Sequence, residues 1–216
     1  MFDKHLKPLI LSSYLISEYP SISTVSSTPF EKSAEVATNW QLSDTLIKIT
    51  FSNDNYLNYN FNKGFYKIEW GNEKFKNHSN QEFEIQGNGN LKLLDYDPKT
   101  ILLSQGCGTS CSYYVVLQIS DKVNEKIYHF TKAYDLKNNL VAFIPENTSG
   151  LRIRVENYKT GQYQDIIEDN YCSAAFTGDC IDSCYFENES LILKWQGSDW
   201  KNDSSDMQEL KVKISL

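Results

Sequence analysis

The chain has 216 residues, of which 40% are hydrophobic, 13% aromatic and 23% charged, and its formal net charge is −7. This length can bury a real core, and the charge content is not that of a disordered polyampholyte. The acidic balance argues against nucleic acid as a partner, since no cationic face is present to displace counterions from phosphate.

The opening stretch MFDKHLKPLILSSYLISEYPSIS places Lys4 and Lys7 ahead of a short apolar run from Leu9 to Ile16. A signal peptide has this order of charge and apolar residues. Here Ser12 and Ser13 interrupt the run, Asp3 sits among the positive charges, and no A-x-A site follows. The segment reads better as a short docking helix or a non-native start. No apolar stretch reaches the roughly 20 residues of a membrane-spanning helix.

Residues 28–40, TPFEKSAEVATNW, predict a helix. Thr28 serves as N-cap, Pro29 takes the first helical position, and Glu31 completes a T-x-x-E capping box. Phe30, Ala34 and Ala37 fall near one face, and the helix is expected to stop around Asn39. The predicted organisation is therefore an N-terminal segment with a short helix, 1–40, followed by an all-β domain, 41–216.

From there the pattern changes to short aromatic and β-branched segments separated by Asn, Gly and Asp. Strands are expected at 46–51, 55–61, 64–70, 82–85, 91–96, 100–105, 112–119, 126–133, 140–144, 151–157, 161–168, 190–195 and 209–216. In LRIRVEN, Leu151, Ile153 and Val155 point one way while Arg152, Arg154 and Glu156 point the other. DYDPKT (95–100) and NYKTG (157–161) read as hairpins. The second resembles the N/D-x-x-T-G hairpin between outer strands of β-propeller blades, though no repeat of blade length is present. The fold class is all-β, with antiparallel sheets forming a sandwich or propeller-blade-like layers. Tyr56, Tyr59 and Tyr66, set among Asn and Lys, are expected to be exposed, with Tyr56 and Tyr59 on opposite faces of a regular strand.

The five cysteines fall into C-x3-C (Cys107, Cys111) and C-x7-C-x3-C (Cys172, Cys180, Cys184) clusters. Residues four apart in an extended strand lie about 13 Å apart. A disulfide needs its Cα atoms within about 7 Å. Cys107 and Cys111 can therefore bond each other only if the strand turns back, which Gly106 and Gly108 permit. All five are candidates for structural disulfides, one must be left over, and spacing does not choose the pairing. Zinc is disfavoured, because the pairs are not C-x2-C and His5, His78 and His129 lie far from both clusters. No cofactor motif appears. The remaining chemistry is nucleophilic catalysis by Ser110, Cys107 or Cys111 with His129 as base, but GTSCS is not G-x-S-x-G.

The segment SQGCGTSCSYYVVLQI resembles a G-C-G-T-x-C motif of uncharacterised secreted or periplasmic bacterial proteins. In those proteins the motif ends one strand and a hydrophobic strand follows it. The likeness covers residues 91–120, with Gln105 where the usual aromatic stands. It implies an extracytoplasmic setting and a local Cys107–Cys111 bond, and it brings no activity. The expected protein is an exported, non-enzymatic binding module of a bacterial envelope. Its partner is expected to be a basic protein or a surface polymer; the alternative is a hydrolase using the 106–112 loop with His129.

Overall fold

Alternating apolar and polar residues give seventeen antiparallel strands among the described residues of a computed structural model of the chain. It describes residues 39–43, 46–51, 54–84, 91–108, 111–146, 150–169, 171–172, 177–197 and 207–216, within the unit Ala37–Leu216. The N-terminal segment up to residue 38, including most of the expected helix, lies outside the described residues. Asn39 already begins a strand.

The first sheet carries β1 (Asn39–Ser43), β2 (Leu46–Thr50), β3 (Tyr56–Asn62), β4 (Phe65–Gly71) and β5 (Lys76–His78) in that order, with β6 (Phe83–Glu84) also paired to β4. The second is the meander β7 (Lys92–Asp97), β8 (Thr100–Gly108), β9 (Cys111–Gln118) and β10 (Asn124–His129). The third is β11 (Thr131–Asp135), β12 (Leu140–Phe143), β13 (Leu151–Asn157) and β14 (Tyr163–Glu168). The fourth is β15 (Ile181–Glu187), β16 (Ser190–Gln196) and β17 (Met207–Lys213).

Three cores join these sheets in series. Ile101, Leu103, Val115 and Leu117 face the first sheet's Leu57, Ile68 and Trp70. Leu102 and Val116, on the opposite face of the same strands, meet Val141 of the third sheet and Tyr158 in the turn after β13. Leu140 and Ala142 turn the other way, toward Leu191, Leu193 and Trp195 of the fourth. The second and third sheets are thus buried on both faces, which is why ILL (101–103), VVL (115–117) and LVA (140–142) run apolar without alternating. Each such side chain removed from water contributes about 1.5–3 kcal/mol. The architecture is a stack of blade-like antiparallel sheets rather than a two-layer sandwich.

Both expected hairpins form. Pro98 and Lys99 link β7 to β8, with Asp97 Oδ1 accepting from the Lys99 amide. Asn157 Oδ1 accepts from the amides of Lys159 and Thr160, and Gly161 takes φ +76 in the turn to β14.

Three features differ from the sequence reading. The single strand expected over 126–133 breaks at Phe130 (φ +53) into β10 and β11, which belong to different sheets. β1, β5 and β15 are additional strands, and in β15 Asp, Ser and Cys masked the apolar period. Tyr59 and Tyr66 are 6% and 1% exposed and lie in the first core; only Tyr56 faces outward, where parity puts it opposite Tyr59.

Candidate inter-sheet cleft

The one-residue corner at Phe130 brings β10 across the third sheet. Lys126 and Tyr128 alternate onto the same side of β10 and meet Glu156 of β13 there. Glu156 Oε1 accepts from Lys126 Nζ at 2.9 Å and from the Tyr128 hydroxyl at 2.8 Å. Burial, followed by the neighbouring Glu156 carboxylate, pushes the Tyr128 hydroxyl far above the usual phenol range. The Tyr128 ring lies 5.1 Å from that of Phe143 on β12.

These residues bound a cleft of about 340 Å³, lined by Lys126 to His129 on one side and by Phe143, Ile144, Glu146 and Glu156 on the other. Further along the same face of β13, Arg154 forks onto Asp165, with Nε to Oδ1 at 2.8 Å and Nη2 to Oδ2 at 3.0 Å. Its guanidinium lies 3.9 Å from the Tyr163 ring centroid. Arg154 holds the Asp165 carboxyl below its usual range, and Asp165 holds the guanidinium protonated.

A second polar cluster occupies the outer face of the first sheet, where Asn58, Glu69 and His78 stand side by side on three strands. Glu69 Oε1 accepts from Asn58 Nδ2 at 3.1 Å, and Oε2 lies 3.1 Å from Lys76 Nζ and 3.6 Å from His78 Nδ1. Burial and then the Glu69 charge raise the Tyr56 hydroxyl to about 12.

The GCGTSC stretch is a hairpin tip. Gly106 pairs Ser112 and Gly108 pairs Cys111, so the chain does turn back between the two cysteines. Cys111 is disulfide-bonded; the Cys107 side chain and all of Ser110 lie outside the described residues. Ser112 Oγ is 3.0 Å from both the carbonyl oxygen and the hydroxyl of Thr131, tying the hairpin to β11. Gln105 is buried and accepts a hydrogen bond from the Tyr113 hydroxyl. His129 stands opposite Tyr113 in register, its ring 5.9 Å away, and its other neighbours line the cleft.

Cys172 and Cys180 form a disulfide with Cα atoms 5.6 Å apart. Cys184, on β15, is the free thiol among the described cysteines. Burial raises its thiol to about 12, against the opposing pull of Lys132. Burial in turn lowers the Lys132 ammonium, which donates to the Gly178 carbonyl at 3.3 Å.

Sequence reasoning found His129 and the polar face of LRIRVEN but not the Lys126–Tyr128–Glu156 constellation. Its members sit about thirty residues apart with no motif between them, so only the packing of two sheets could join them. Among the described residues no helix is long and apolar enough to cross a membrane.

The fold and cleft define the class: an all-β chain of stacked antiparallel sheets with an open inter-sheet cleft. No protein-family model matches the sequence, and no curated protein matches it.

Proposed function

We propose that this chain is a non-enzymatic, extracytoplasmic binding module and that the cleft between β10 and β12–β13 is its binding site. The observation that carries this is the double hydrogen bond on Glu156, which fixes both walls in place before any ligand arrives. A carboxylate oxygen already shared by an ammonium and a phenol is poorly placed to abstract a substrate proton. Across from β10 the half-buried Phe143 ring lines the cleft, packed on the buried Tyr128, and aromatic anchors of this kind dominate recognition surfaces.

The Cys172–Cys180 bond supports an oxidising compartment. Cys111, held in a disulfide, has no thiolate to offer as a nucleophile. With the GCGTSC hairpin turning back on itself, a Cys107–Cys111 bond completes the set of two staples and one spare thiol.

The test is an NMR titration of the full chain with a cationic peptide and with a cell-surface polysaccharide. Shifts confined to Lys126–His129, Phe143 and Glu146, and lost in Phe143→Ala, are the expected result. Shifts centred on Ser112 and Tyr113, together with ester or amide hydrolysis abolished by Ser110→Ala, would replace this reading with the hydrolase one.

A further inference from the structure

Four consecutive residues of one strand, Lys126 to His129, line the cleft. Side chains alternate across a strand, so a cavity touching consecutive positions meets the strand along its backbone edge rather than on one face. β10 is the terminal strand of its sheet, paired only to β9. Among the described residues, no backbone hydrogen bond leaves its outer edge.

The reason for that open edge is visible at the corner. The β11–β12 ladder extends one step past its last pair, with the Ile144 amide donating to the Phe130 carbonyl at 3.1 Å. Pro145 follows and has no amide hydrogen to continue the ladder. The next described strand is β13, and no described strand occupies the lane beside β10 that β12 would have taken. The six residues of β10 present along it about 20 Å of backbone that pairs with no described strand.

A lysine on an edge strand ordinarily discourages pairing. Here the Lys126 ammonium is paired with Glu156 rather than left as a free charge.

We infer that β10 is a docking edge for an extended, basic peptide segment of a partner protein, which adds to the second sheet as a fifth strand. This rests on the cleft being the binding site and names what occupies it. A ladder of amides and carbonyls recognises extended polypeptide backbone, with alternate side chains supplying selectivity. One set of those side chains would pack on Phe143. The cleft lining holds two carboxylates, Glu146 and Glu156, against one lysine, in a chain of net charge −7, so the matching peptide is cationic.

The experiment uses the full chain and three synthetic probes of about nine residues, long enough to run the length of β10. One alternates valine with lysine, one valine with glutamate, and the third is the lysine peptide N-methylated on alternate amides. The lysine peptide is expected to slow hydrogen exchange about tenfold at alternate β10 amides. N-methylation, which removes ladder donors and leaves the charge unchanged, is expected to weaken binding about tenfold or more.

Equal binding of the N-methylated probe, equal binding of the glutamate probe, or protection on another edge such as β14 or β17 overturns the inference. If no peptide binds but a polysaccharide shifts the cleft residues, with the effect lost in Phe143→Ala, the strand inference fails and the cleft remains the site. If neither class of probe touches the cleft, both fail.

Discussion

Tyr128 and Glu156 sit on different sheets and share one hydrogen bond, the phenol donating to Oε1 at 2.8 Å. That bond, with Lys126 on the same oxygen, fixes β10 over β13 and so sets the width of the cleft. Tyr128→Phe keeps the ring against Phe143 and removes only the donor. It is expected to cost about 1–2 kcal/mol in urea denaturation, the range for a hydrogen bond to a partly screened charge. Tyr128→Ala also empties the ring's place and is expected to cost about 3–5 kcal/mol. Equal losses in the two variants would mean that the ring contributes nothing beyond its hydroxyl, and no loss in Tyr128→Phe would mean that the hydroxyl contributes nothing.

Gly71 and Gly64 test the backbone. Both have positive φ, at +155 and +90. A Cβ at Gly71 would stand 1.9 Å from the Phe75 carbonyl oxygen, whereas one at Gly64 meets nothing within 4 Å. Gly64→Ala bears only the conformational penalty, about 1 kcal/mol, while Gly71→Ala is expected to lose about 3 kcal/mol or to fail to fold. Similar melting temperatures for the two variants would show that β4 and Phe75 can separate cheaply.

The Cys172–Cys180 staple closes a short loop. Its removal in the double Cys→Ser variant is expected to cost about 2–3 kcal/mol, the chain-entropy value for a loop of this size. Cys184, buried and with its thiol raised to about 12, is expected to resist alkylation at neutral pH until the chain unfolds. Urea denaturation measures the first loss, and mass mapping of alkylated peptides with and without denaturant checks the second statement. Rapid native modification of Cys184 would contradict it.

Two carboxylates are expected to leave opposite marks on the pH dependence of stability. Asp165 is depressed by Arg154, so its contribution is present above the unfolded value of about 3.9 and is lost as pH falls through the lower folded value. Asp165→Asn removes that acid limb at a cost below about 1 kcal/mol near neutrality, since the pair is partly solvated.

Glu125 is raised by burial, against the hydrogen bond from the Asn80 amide, and its Oε1 is buried with no partner among the described residues. Its contribution is present below the unfolded value of about 4.3 and is lost as pH rises through the higher folded value. In Glu125→Gln this decline is expected to flatten. Melting temperatures across pH 3 to 7 for the two variants and the parent chain decide the signs.

Much of the fold was legible because burial leaves a period in the sequence. Leu151, Ile153 and Val155 face the fourth sheet's core as their alternation requires, and Asn157 and Asp97 cap the turns that their residue types suggest. The failures have the same physical origin. Tyr59 and Tyr66 looked exposed because their sequence neighbours are polar, yet those neighbours lie on the other face of β3 and β4. Phe130 looked like strand interior because nothing in KIYHFTKA announces a left-handed residue. The cysteines narrowed to stapling without revealing their partners, because pairing depends on where chain ends meet in space.

Alone, the sequence determined an all-β chain with its hairpins and showed that the GCGTSC stretch must turn back if its two cysteines are to bond each other, since strand periodicity and turn chemistry are local properties. Only the tertiary structure decided that the sheets stack in series through two doubly buried layers, that Cys172 takes Cys180 while Cys184 stays free, and that Lys126, Tyr128 and Glu156 meet. Those outcomes rest on contacts between residues far apart in the chain. Such contacts are set by how whole sheets minimise exposed apolar surface, and no short stretch of sequence carries that information.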